Sequence, residues 1–229
     1  MMKRMSLQLH NTTGWALVLV TLGLVGFWVP PADAEIGVSY LIFFFHFPSA
    51  VNCLNFFIFA GVLSLVYLCC GRRYPRVDLW AATAVEVGVL ACTVTLVTGS
   101  LWAKAAWNKY WVLQDMRLMT VAIMWFTYVG YLALRNVVDE PEKRARFCAV
   151  FGVIAGFNVP IVYYSIKWFG RVVHPINIEL GETSMVATRW IGALAFLVLY
   201  TAIWRMRYRV ACLSHESSRL EESFARAGI

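Results

Sequence analysis

PSAVNCLNFFIFAGVLSLVYLCC, residues Pro48–Cys70, runs twenty-three positions without one ionisable acidic or basic side chain. About 20 apolar residues suffice to cross a hydrocarbon core of roughly 30 Å as a helix, so this stretch reads as a membrane span. The apolar residues form one continuous run and do not alternate, which argues against a barrel strand. Similar runs recur along the chain, and six spans are predicted: Thr13–Val29, Pro48–Cys70, Leu79–Leu101, Leu118–Leu134, Phe147–Phe169 and Val186–Trp204. With 60% hydrophobic and only 14% charged residues in 229, and a mean hydropathy of +0.65, the composition excludes an ordinary soluble domain. The chain is read as a single all-α membrane domain over 1–229, with no repeat and no separate soluble unit.

The 20 lysines and arginines fix the predicted orientation. Basic residues gather on the cytoplasmic side of short loops. Fourteen of them, from Lys3 and Arg4 to Arg226, fall in the two tails and in the second and fourth connections. Only Lys104, Lys109, Arg117, Lys167, Arg171 and Arg189 fall on the other side. Both termini are therefore expected in the cytoplasm, and the net charge of +7 is mostly this orientation signal, with no argument in it for nucleic acid. Lys3 and Arg4 before an apolar run also resemble the start of a signal peptide. The run Trp15–Val29 is long for one, and Pro30–Glu35 only loosely resembles a cleavage site, so a retained helix is expected.

The six cysteines, Cys53, Cys69, Cys70, Cys92, Cys148 and Cys212, lie in predicted spans or near the cytoplasmic side, so they imply no disulfide framework. There is no C-x-x-C-H haem-attachment motif. No lysine follows a glycine, so a P-loop is missing as well and any ATP-driven role needs another subunit.

The polar residues that invite a chemical reading lie on the outer side. His10 and His215 fall in the tails, whereas His46 is expected to start the second helix and His174 occupies the last outer loop. Each stands beside proline, in Phe45-His46-Phe47-Pro48 and Val173-His174-Pro175, which restricts the local backbone. A single histidine at a membrane boundary is ordinarily satisfied by water or a carbonyl. Two from different segments can instead clamp one haem iron from both faces. Between them runs the outer segment 102–117. Read at 100° per residue, Ala103, Ala106, Trp107, Tyr110 and Trp111 share one face, and Lys104, Asn108 and Lys109 take the other. Two readings stand: an aromatic belt at headgroup depth, or a platform for a porphyrin whose propionates meet Lys104, Lys109, Arg117 or Arg171. Glu86 within the third helix is costly there and has no partner evident in sequence. Pro160 is expected to kink the fifth helix, with Asn158 near the freed backbone.

Phe45–Ala50, Val97–Trp102, Trp107–Leu118 and Asn158–Trp168 together, in this order and spacing, resemble the haem exporter protein C family of the bacterial cytochrome c maturation system, within the haem-handling group that carries a tryptophan-rich "WWD" domain. The resemblance covers most of the chain. It implies six helices and one non-covalent haem b held by His46 and His174, with Trp102, Trp107, Tyr110, Trp111, Asp115 and Arg117 in the haem-holding segment. It further implies a bacterial inner-membrane protein that is a carrier and not an enzyme, presenting haem to a periplasmic haem chaperone, the E component. The small membrane D component and the A and B ABC-transporter subunits are the implied partners. The family pattern approximates W-G-x-x-W-x-W-D-x-R-L. Here Trp107 is followed by Asn-Lys-Tyr-Trp-Val-Leu-Gln-Asp-Met-Arg-Leu, so Asn108 replaces the glycine, Tyr110 a tryptophan, and one extra residue precedes Asp115. If that stretch is helical, the insertion turns Asp115 and Arg117 by about 100° from the aromatic face. The competing classes are a membrane b-type cytochrome exchanging electrons with quinol and a solute permease.

Overall fold

A computed structural model describes residues 2–27, 37–71, 73–170, 172–174 and 183–227. Pro30–Glu35 and Arg171 lie outside the described residues. The order is α1 (Met2–Phe27), a 3-10 turn (Gly37–Ile42), α2 (Phe43–Cys70), α3 (Arg76–Trp107), α4 (Met116–Val137), α5 (Pro141–Gly156), α6 (Asn158–Phe169) and α7 (Thr183–Ala227). No strand occurs among the described residues. Five stretches are long and apolar enough to cross a membrane: Ser39–Cys70, Arg76–Trp107, Met116–Val137, Pro141–Phe169 and Met185–Ser218. Within α1, Asn11–Gly26 is a shorter apolar stretch. In lipid each backbone N–H and C=O must be bonded within the segment, which a helix does. Polar side chains obey the same demand: the hydroxyls of Thr83, Thr93, Thr95 and Thr98 each donate to the carbonyl four residues earlier in α3.

The centre of the bundle is the α2–α3 pair, with α5 and α7 against α2, α4 against α3, α6 against α4 and α1 against α7. Small residues allow the close approach on which membrane helices rely. A Cβ on Gly88 would sit 2.5 Å from the ring of Phe57; without one, Phe57 stacks on Tyr128 with centroids 3.7 Å apart.

Helix ends depart from the sequence expectations for local reasons. His46 does not start the second helix: that helix begins at Phe43 and continues the 3-10 turn, so Pro48 lies inside it. The third helix continues past Leu101 to Trp107, where Asn108 turns left-handed at φ 53°. The fifth span breaks at Phe157 into α5 and α6. Pro160 is the third residue of α6, where a missing N–H costs no intrahelical bond, and no side-chain cap closes the junction. The last helix does not stop at Trp204, because 205–227 contains neither glycine nor proline. At 1.5 Å per residue its 45 residues extend about 68 Å, well beyond a bilayer core.

Two ion pairs lock the end of the bundle opposite Trp102. Arg135 grips Asp78 with both Nη atoms, at 2.8 and 2.6 Å, tying α4 to α3. Glu86 has the partner that the sequence left unnamed: Arg207 Nε donates to its Oε2 at 2.6 Å, tying α7 to α3.

Candidate functional site

Where α2 begins and α3 ends, the helices part around a cavity of about 520 Å3. His46 lines it from α2, Trp102 and Trp107 from α3, Trp111 from the following loop, Arg117 from α4 and His174 from the loop after α6.

His46 is fixed by α3. Its Nδ1 lies 3.1 Å from the carbonyl oxygen of Thr95 and 3.3 Å from Thr98 Oγ1. A carbonyl only accepts, so Nδ1 carries the hydrogen and Nε2 keeps its lone pair. This is the arrangement that prepares an imidazole to ligate through the other nitrogen. The ring lies flush against α3 because residue 99 is glycine: a Cβ there would be 2.9 Å from His46 Cε1.

His174 is held through its backbone. Asp115 Oδ2 accepts from His174 N at 2.9 Å and Val173 N at 3.1 Å. Its Oδ1 accepts from Arg117 N and Leu118 N, capping α4. Burial alone would raise the Asp115 carboxyl, but the N–H groups of His174, Val173 and Leu118 outweigh it and hold the group below the ordinary carboxylate value. One buried carboxylate thus fastens the histidine loop to the start of α4.

The extra residue before Asp115 does not rotate this group. Residues 108–115 are non-helical, so no 100° increment applies and the loop absorbs the insertion. Asn108 sits where φ is positive, a conformation that favours glycine and tolerates asparagine; the departure from the usual glycine is therefore conservative. The same helix end undoes the shared face drawn through 103–111. Tyr110 is exposed beyond the helix, with Lys104 Nζ 5.6 Å from its ring centre, and Lys104 donates to Asn108 Oδ1 at 2.6 Å. Neither side chain lines the cavity. Three indoles do: Trp102, Trp107 and Trp111, the first two edge to face at 5.3 Å.

The cavity also holds donors without acceptors. Trp102 Nε1 and Arg117 Nε are buried and make no hydrogen bond among the described residues, although Arg117 Nη2 donates to the Tyr163 carbonyl at 3.0 Å. Arg189, on α7, lines the same cavity and its Nε is likewise buried without a partner. In sequence Arg189 reads only as an outer-side charge. The available signal was an arginine inside the apolar run 186–204.

The family sequence model described as heme exporter protein C matches residues 1–223. The chain belongs to the haem exporter protein C family. Among relatives, heme exporter protein C of Bradyrhizobium diazoefficiens is 31% identical over 192 residues, covering 82% of this chain and 71% of the relative. Heme exporter protein C of Escherichia coli K12 is 28% identical over 225 residues, covering 93% and 90%. A putative cytochrome c biosynthesis ccmC-like mitochondrial protein of Marchantia polymorpha is 32% identical over 171 residues, covering 75% and 71%. The matched range 1–223 takes in nearly every residue, so membership in the haem exporter protein C family concerns the chain as a whole.

Proposed function

We propose that this chain holds one haem b non-covalently in the cavity and presents it for cytochrome c maturation. The observation that supports this best is convergence: two histidines from segments far apart in sequence line one volume with three indoles and with buried donors that lack acceptors. The residues fit the group. A cavity of about 520 Å3 is in the range of cofactor sites. Two imidazoles complete a six-coordinate iron when a macrocycle supplies the other four ligands. Haem, when bound, supplies that iron and two acidic propionates. His46 and His174 ligate it, Trp102, Trp107 and Trp111 cover its apolar faces and exclude water, and Arg117 receives a propionate. Asp115 acts one step back by positioning His174, while Lys104 and Tyr110 stay on the exposed rim.

In this reading the domain spans 1–229, both termini are cytoplasmic and the cavity faces the periplasm of a bacterial inner membrane. The recipient is the periplasmic haem chaperone (E component), and the D component and the A and B transporter subunits are the partners. The chain carries its ligand without transforming it. A reporter fused after Ile229 should be active only in the cytoplasm; activity outside would refute the orientation.

The main test is the absorption spectrum of purified protein with and without the chaperone. Wild type should show a bis-histidine haem spectrum and lose haem to the chaperone, and His46→Ala with His174→Ala should abolish the spectrum. Unchanged haem content in the double variant would refute the ligand assignment. Cycling of the bound iron with quinol, without transfer, would make the chain an electron carrier instead.

A further inference from the structure

Arg189 is a charge placed where it is costly. It projects from the apolar part of α7, and an arginine in a spanning segment is costly unless compensated. Elsewhere in this bundle compensation comes from carboxylates: Asp78 for Arg135 and Glu86 for Arg207. No carboxylate among the described residues forms an ion pair with Arg189. Its guanidinium carbon instead lies 5.4 Å from the ring centre of Phe47 and 5.1 Å from that of Trp190, and these rings fix the side chain by cation–π contact. They supply no hydrogen-bond acceptor, and Nε remains buried without one. A buried donor on a cavity wall is open to a ligand or an ordered water.

Resting on the haem reading above, we propose that Arg189 is a second carboxylate anchor of this cavity, beside Arg117, and that together they select a planar ligand bearing two free carboxylates. The two guanidiniums come from different helices, α4 and α7, so each offers its own planar fork, the geometry that matches a carboxylate in two parallel hydrogen bonds. Trp102 Nε1 adds a neutral donor to the same volume. A ligand with its acids esterified offers no charge to either arginine.

The test compares iron protoporphyrin IX with its dimethyl ester, titrated into the purified full chain in detergent and followed by absorption. Wild type should bind the free acid at least tenfold more tightly, the scale of one charge-assisted hydrogen-bond pair. Arg189→Met, similar in length and without the charge, should lose about tenfold in affinity for the free acid and little for the ester, with the bis-histidine spectrum retained. If Arg189→Met does not accumulate, Arg189→Lys keeps the charge without the fork and should narrow the preference to a smaller extent. An unchanged acid-to-ester preference in whichever variant accumulates, with spectrum intact, overturns the role of Arg189 and leaves the haem reading standing. Failure of wild type to change spectrum with either porphyrin overturns the haem reading itself.

Discussion

Each end of the bundle holds a cavity, of about 520 Å3 beside Trp102 and about 490 Å3 beside Asp78, and the two differ in what their charges do. Beside Asp78 the arginines are largely answered from within the chain. Arg135 meets Asp78 with both side chains nearly buried, and Arg76 approaches Glu216 at 4.0 Å on the surface; two buried donors near them, Arg144 Nε and the Tyr131 hydroxyl, are left over. Beside Trp102 three buried donors from α3, α4 and α7 have no acceptor among the described residues. Among the described residues its buried acid, Asp115, is occupied by backbone N–H groups. Satisfied charge holds helices together, whereas converging unsatisfied donors are open to a ligand or to water. Similar volume is therefore no guide to similar role.

The largest effect that would break this contrast is expected at the paired end. Arg135→Ala leaves Asp78 buried without its partner and should cost about 3 kcal/mol of stability, read as a lowered unfolding midpoint in detergent. Haem affinity of the folded fraction should stay at the wild-type value. A loss of affinity matching the loss of stability would dissolve the distinction between the two ends.

At the other end the order of effects should reverse. On the haem reading, Trp107→Ala or Trp111→Ala removes a ring that covers the ligand, and at about 25 cal/mol per Å2 the lost contact amounts to about 2 kcal/mol, or roughly thirtyfold in haem affinity. Membrane levels should remain near normal. Trp80→Ala, whose ring packs on Trp204 and Tyr208 at the paired end, should spare haem loading and transfer. Normal loading in the Trp107/Trp111 double variant would return this segment to the role of an interfacial aromatic belt.

The smallest effect concerns Asp115. Its folded-state pKa lies below the ordinary value, so its ionised form stabilises the fold. That contribution is fully present above the ordinary carboxylate value and is lost as pH falls below it. Amide exchange at Val173 and His174, corrected for intrinsic rates, should stay slow at pH 5 and accelerate only below about pH 4. Asp115→Asn should raise exchange there about tenfold and flatten the acid step. Loss of protection already near pH 6 would show that another group holds the loop.

Five of the six expected spans were legible in sequence because lipid imposes a simple rule, that a long run without charge is a helix whatever surrounds it, while the first helix carries only the shorter apolar stretch Asn11–Gly26. Hence Pro48–Cys70 and the runs like it needed no tertiary information, and His46 and His174 stood out as the histidines outside the two tails. Helix ends were less legible. Trp107 ends α3 through one left-handed residue, while α7 runs on because nothing in 205–227 stops it, and both depend on local backbone energies that apolar periodicity does not report.

What the sequence by itself determined is the all-helical membrane architecture, the aromatic segment and the candidate pair of imidazoles, since these follow from residue type and spacing along one chain. Only the tertiary structure decided which neighbours those residues have. Thr95 and Gly99 set the His46 ring, Asp115 reaches fifty-nine positions along the chain to the backbone of His174, and Arg189 joins the same cavity from the last helix. Each of these depends on which helix faces come together, and packing between helices distant in sequence leaves no periodic trace in any one of them.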